Sequence, residues 1–218
     1  MSRASNARAA LFDFDLTLVD TSYAITDCTN LLADEFGLRR VTRDEMIKVI
    51  GLPILDSWVR LWGESRPEWL DFYRHGLRGL EHSKIREFPD TRSSVERLRA
   101  HGILTGVVTN RNKARSAVEE CGVAPLFDVI VGGEDVGNYK PHPEPLLKAL
   151  SLLGVGPDAA FFIGDTDIDM ETARAANVRG IGVTTGSFGA EELLSAGAGV
   201  VCANLDGVAD FILREMQL

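Results

Sequence analysis

Short apolar runs that alternate with stretches of helical spacing constrain this chain more than any other feature. Residues 9–14 (AALFDF), 103–109 (ILTGVVT), 128–131 (DVIV), 159–163 (AAFFI) and 180–183 (GIGV) are bounded by Gly, Asn, Asp or Lys. Their length suits buried strands rather than helices. Between them, residues 93–101 carry Val95 and Leu98 at helical spacing before Gly102, a candidate C-cap. Residues 113–121, 144–153 and 167–176 read as further helices. Strand alternating with helix is the pattern of a parallel sheet covered on both faces, so the expected fold class is α/β with a doubly wound parallel sheet. A weaker strand at 199–202 and a helix over 208–216 complete it.

Residues 21–88 break the rhythm. They hold helical patterns at 23–36, 43–50, 54–62 and 69–80 without a convincing strand, and so read as an inserted α-helical domain. The expected organisation is a Rossmann-like core from residues 1–20 and 89–218, with the insertion at 21–88. All three tryptophans, Trp58, Trp62 and Trp69, fall in the insertion. Trp58 and Trp62 are one helical turn apart and share a face, where large aromatics favour core packing.

The composition is that of a globular protein, with 45% hydrophobic and 25% charged residues. A net charge of −9 works against nucleic acid or an anionic membrane surface as partner, since both are gripped by accumulated Lys and Arg. It also repels phosphorylated molecules, so any site for them needs local positive charge. Residues 1–8 are polar with no apolar leader segment, and a cytoplasmic protein is expected. Cys28, Cys121 and Cys202 form no CxxC pair and read as reduced, mostly buried thiols.

In open parallel sheets, ligands bind beyond the carboxyl ends of the strands. There the first run ends in Asp13-Phe14-Asp15, the second in Thr109-Asn110, and the fourth in Gly164-Asp165-Thr166-Asp167-Ile168-Asp169, while a loop between carries Lys140-Pro141. Strand alternation places Asp13 and Asp15 on one side. Like charges about 4 Å apart repel by about 4 kcal/mol at an effective dielectric of about 20. Gathering Asp13, Asp15, Asp165 and Asp169 therefore calls for a hard divalent cation. An oxygen-only ligand set points to magnesium rather than zinc. Asp167 reads as the N-cap of the following helix rather than as a ligand.

These segments resemble the haloacid dehalogenase superfamily: DFDLTLVD at 13–20, Thr109 after a pair of valines, KPHPEP from Lys140 and GDTDID from Gly164. With a helical cap between the first motif and the second strand, the chain is similar to the phosphoglycolate phosphatase-like branch. The resemblance implies a magnesium-dependent phosphatase for small phosphorylated metabolites. Asp13 would be the nucleophile, giving a phospho-aspartate, and Asp15 the general acid and base. Thr109, Asn110 through its backbone N–H, and Lys140 would bind the phosphoryl group, with Asp165 and Asp169 holding the cation.

Departures from the family pattern are Leu16, where many relatives have Gly, and Asp90 in FPD, where YPG is more usual. A side chain at either position disfavours a left-handed turn. Rival readings are a sugar phosphomutase, against which Leu52-Pro53 replaces a Ser-Arg pair after Gly51, and a phospho-accepting signalling domain, which has no helical insert. A catalytically dead binding protein is disfavoured because no reacting side chain is missing. Arg60, Arg66, Arg74, His75 and Arg78 are the cap residues that could meet a substrate carboxylate or second phosphate.

Overall fold

The computed structural model describes residues 8–216; the polar stretch 1–7 lies outside the described residues. The chain begins with β1 (Arg8–Phe12) and the short β2 (Val19–Asp20), then runs through α1 (Ser22–Phe36), α2 (Arg43–Ile47), α3 (Ile54–Trp62), α4 (Pro67–Phe72) and α5 (Arg78–Lys84) to β3 (Arg86–Glu87). It continues with α6 (Thr91–Ala100), β4 (Ile103–Val108), α7 (Ala114–Glu120), β5 (Val129–Val131), α8 (Glu144–Leu153), β6 (Ala160–Gly164) and α9 (Asp167–Ala175). The last elements are β7 (Arg179–Val183), α10 (Ala190–Ala196), β8 (Val200–Cys202) and α11 (Leu205–Glu215).

Six parallel strands form one sheet in the order β5-β4-β1-β6-β7-β8. Period-two alternation sends Ala10 and Phe12 to one face, packed with Val95, Leu98 and Ile212. Ala9 and Leu11 go to the other, packed with Leu146, Ala149 and Leu150. Burial on both faces is why these runs are almost continuously apolar. After β1 the chain builds outward through β4 and β5, then crosses back to β6 on the other side of β1. The carboxyl ends of β1, β4 and β6 thus meet at the point where strand order reverses, which is where such sheets open a crevice. Among the described residues no helix is long and apolar enough to cross a membrane.

Helices α1–α5 carry their own core. Cys28, Leu32, Trp58, Trp69, Tyr73 and Leu77 cluster there, with Trp69 edge-on to Trp58 at 6.3 Å and to Trp62 at 5.6 Å. The helix expected over 69–80 is in fact broken. A π-helical turn, Tyr73–Leu77, separates α4 from α5, adding a residue to the turn and re-aiming α5. The insertion also contains a strand that periodicity did not reveal, because a two-residue strand has no period: β3 pairs antiparallel with β2, Val19 opposite Glu87 and Asp20 opposite Arg86.

The two departures at 16 and 90 behave differently. Leu16 does adopt the left-handed region, at φ 60°, and its side chain is buried, so packing offsets a cost of about 1–2 kcal/mol. The turn is closed by Leu16 N–H donating to Val19 O at 2.8 Å and Leu18 N–H to Phe14 O at 3.0 Å. Asp90 needs no left-handed turn, since its φ is −99°. Instead its carboxylate accepts from the N–H groups of Leu205 at 2.7 Å and Asp206 at 3.1 Å, capping α11. A carboxylate suits that helix end and ties the return from the insertion to the carboxyl-terminal helix.

Candidate active site

β1 ends at Phe12, one residue before the first acid, although Asp13 N–H still donates to Ile163 O at 2.8 Å. That bond holds Asp13 against the end of β6. Its carboxylate meets Lys140, whose Nζ donates to Asp13 Oδ1 at 2.7 Å and to Asp169 Oδ1 at 2.6 Å. Lys140 is placed by Asn110: Lys140 N–H donates to Asn110 Oδ1 at 2.8 Å, and Asn110 Nδ2 donates back to Lys140 O at 3.1 Å and to Gly51 O at 3.2 Å. The Asn110 side chain thus ties the end of β4 to the lysine loop and to the helical insertion. The Lys140–Pro141 peptide is cis.

Asp169 sits in the first turn of α9, and Thr166, not Asp167, is the N-cap. The Thr166 side chain accepts from Asp169 N–H at 3.3 Å, while Asp169 Oδ2 accepts from Thr166 N–H at 3.2 Å and from its hydroxyl at 2.6 Å. This reciprocal capping box fixes the Asp169 carboxylate. Two glycines make room for the acids: a Cβ on Gly164 would run into Asp169, and one on Gly186 into the Asp165 carboxylate. Asp165 Oδ1 also accepts from the Thr17 hydroxyl at 2.9 Å.

Asp13, Asp165 and Asp169 each offer an oxygen within 4.8 Å of the others, and all three are buried. Three carboxylates face one ammonium here. Burial pushes the Asp13 carboxyl up to about 7, Lys140 pulling it down and Asp169 and Asp15 pushing it further up. Burial, then Asp169 and Asp13, raise Asp165 well above the carboxylate range. Burial works against the charge on Lys140, but Asp13 and Asp169 outweigh it and hold the ammonium protonated. An excess of buried negative charge on oxygen donors fits a hard divalent cation.

Asp15 does not join that group. Its carboxylate is held by Arg111, with Nε donating to Oδ2 at 3.1 Å and Nη2 to Oδ1 at 2.5 Å, a two-pronged pair. The strand has ended and the Leu16 turn has begun, so simple alternation no longer fixes the direction of residue 15. Arg111 Nη1 also pairs with Glu81 on α5, and Glu81 Oε2 accepts from the Tyr73 hydroxyl at 2.5 Å. Burial opposes the Arg111 charge, yet Asp15 and Glu81 more than compensate and raise it well above its ordinary value. Thr109 Oγ1 accepts from Arg111 N–H at 3.2 Å, helping to set this arm.

A cavity of about 120 Å³ opens between the strand ends and the helical insertion, lined by Asp13, Asp15, Thr109, Asn110 and Arg111 on the sheet side. Residues 10–183 match the sequence profile of the haloacid dehalogenase-like hydrolases. The chain belongs to that family. Among relatives of this hydrolase, the phosphoglycolate phosphatase of Aquifex aeolicus is 30% identical over 177 residues, covering 79% of this chain and 82% of that protein. The pyrophosphatase PpaX of Bacillus pumilus is 29% identical over 191 residues, covering 87% and 88%. A haloacid dehalogenase-like family protein from Streptococcus pneumoniae superposes with a TM-score of 0.84 over 95% of this chain and 99% of that one, at 22% identity, a likeness of fold.

The hydrolase thus brings Asp13, Lys140, Asp165 and Asp169 together, with Thr109 and Asn110 beside them and the Asp15 carboxylate turned to Arg111. Sequence reading missed Arg111, Thr17, Thr166 and Glu81. Arg111 carried a signal, a basic residue two past Thr109 at a strand end. Glu81 carried none, since its partner lies 30 residues away in another element.

Proposed function

We propose that this hydrolase is a magnesium-dependent phosphatase that releases phosphate from small-molecule monoesters through a phospho-aspartate on Asp13. The observation that carries the reading is the buried meeting of Asp13, Asp165 and Asp169 around Lys140. A free Asp13 oxygen attacks phosphorus and forms an acyl phosphate as the bond to the leaving oxygen breaks. Asp15 delivers a proton to that oxygen, and then takes one from the water that cleaves the acyl phosphate and restores Asp13. Lys140, the Thr109 hydroxyl and backbone N–H groups neutralise the phosphoryl oxygens. Magnesium, held by Asp13, Asp165 and Asp169, supplies further charge neutralisation.

Both Asp15 oxygens are engaged by Arg111 in this arrangement, so proton transfer from Asp15 requires that pair to open. Arg111 also grips Glu81 on the insertion. Movement of residues 21–88 as a cap over the remaining core therefore bears on when Asp15 is released. The named activities of the relatives make phosphoglycolate and pyrophosphate the first substrates to try.

Phosphate release from these and from p-nitrophenyl phosphate should require Mg²⁺ and stop with EDTA; release from none of them across a panel would overturn the reading. A second readout comes from pH. With the Asp13 carboxyl raised to about 7, the folded protein without a cation binds a proton that the unfolded chain has already lost. That contribution to stability is full below the ordinary carboxyl value of 3.8, declines as pH rises above it, and is gone above about 7. A cation need not displace the proton above that point, so Mg²⁺ should raise the melting temperature more at pH 8 than at pH 6. An equal shift at both would argue against these ligands.

A further inference from the structure

The helical insertion presents five basic residues as candidates for reading the part of the substrate that is not the phosphoryl group, and the structure separates them. Arg60, Arg66, Arg74 and His75 are exposed. Arg66 is paired with Glu64 at 2.7 Å, and the His75 ring meets its own helix at Asp71 O, 2.9 Å away. Arg78, the first residue of α5, is half-buried and lines the cavity that also contains Asp13, Asp15, Thr109 and Asn110.

The other cations at the site are committed. Lys140 is shared between Asp13 and Asp169, and Arg111 between Asp15 and Glu81. Glu81, one turn along from Arg78, has its oxygens taken by Arg111 and the Tyr73 hydroxyl. The Arg78 guanidinium makes no hydrogen bond or ion pair with another described residue. Burial lowers its pKa, Glu81 works against that, and Arg74 and Arg111 add to it. The rest of the wall on that side is largely apolar, with Ile25, Met46, Val49, Ile54 and Trp58. A guanidinium left without an anion, half out of water and set in an apolar wall, is costly unless an anion arrives with the ligand.

We propose that Arg78 is a specificity-determining residue, receiving a second anionic group, a carboxylate or a further phosphate, on the substrate whose phosphoryl group sits at Asp13. The inference rests on the phosphatase reading and deepens it. The planar guanidinium fork suits either anion. The apolar wall leaves little else to orient a charged leaving group, whereas an uncharged one would leave Arg78 unpaired. Discrimination then comes from a contact that a neutral analogue of equal size lacks.

The test compares matched substrates: phosphoglycolate against ethyl phosphate for a carboxylate, and pyrophosphate against methyl phosphate for a further phosphate. The wild-type protein should favour the anionic member of at least one pair, and the pair whose preference falls on substitution of Arg78 names the group. Arg78→Met should cut this preference, taken as the ratio of kcat/KM values, by about 10- to 100-fold, the worth of one charge-assisted contact. Arg78→Lys should restore part of it. A merely structural role would lower both members together and leave the ratio alone, and that result overturns the proposal, as does a wild-type protein with no preference in either pair. Absence of turnover with all four substrates is a different failure, because it removes the phosphatase reading and takes this inference with it.

Discussion

Asp13→Asn should abolish phosphate release, by roughly 10⁴-fold or more in kcat, while leaving the protein at least as stable as before. The two halves of that result have the same cause. Asp13 is one of three buried carboxylates facing a single ammonium, and burial already drives it toward the protonated form. An amide of the same shape removes one of the repelling charges, and Lys140 keeps Asp169 as its partner. A residue kept at the expense of stability is what a reacting group in a pre-organised site looks like. Phosphate release and urea denaturation, measured on the same preparation, check both halves. Retained turnover would remove Asp13 as nucleophile.

Lys140→Ala should behave in the opposite way and harm both activity and fold. The side chain is 2% exposed and donates to Asp13 and Asp169 at 2.7 and 2.6 Å. Its loss leaves two buried carboxylates with no cation of the chain beside them, and breaking a buried pair from one side costs about 3–5 kcal/mol. Activity should fall with every substrate alike if, as proposed, the lost charge addresses the phosphoryl group and not the leaving group. Without Lys140 the Asp13 carboxyl loses the charge that pulls it down, so the folded state gains a proton there as pH falls. The stability deficit in urea should therefore be larger at pH 8 than at pH 5. A variant with wild-type stability at pH 8, or with losses confined to one substrate, would show that Lys140 does not hold this cluster together.

Much of the fold was legible because its elements obey simple periods. The strands β1, β4, β5, β6, β7 and β8 lie within a residue or two of the apolar runs, as burial on both faces requires. The strand-end rule singled out Asp13, Thr109, Asp165 and Asp169, with Lys140 on a loop between, and these side chains lie close together in the structure. What escaped depended on departures from period. The π-helical turn at Tyr73–Leu77 adds a residue where even helical spacing was assumed. It begins at Tyr73 and ends just before Arg78, and both of these residues line the cavity. The Leu16 turn closes just after Asp15, and Arg111 claims that carboxylate, an outcome that pairwise alternation along a strand cannot anticipate. Asn110 was expected to serve through its backbone, yet its side chain binds three segments together, because a buried amide has donors and an acceptor to satisfy.

The phospho-aspartate itself can be sought directly. Wild-type protein quenched in acid during turnover of phosphoglycolate or p-nitrophenyl phosphate, then digested and analysed by mass spectrometry, should carry one phosphoryl group on the peptide containing Asp13. Asp13→Asn treated in the same way should carry none. Steady phosphate release with no phosphorylated peptide under any quench, or with the phosphoryl group on another residue, would contradict attack by Asp13.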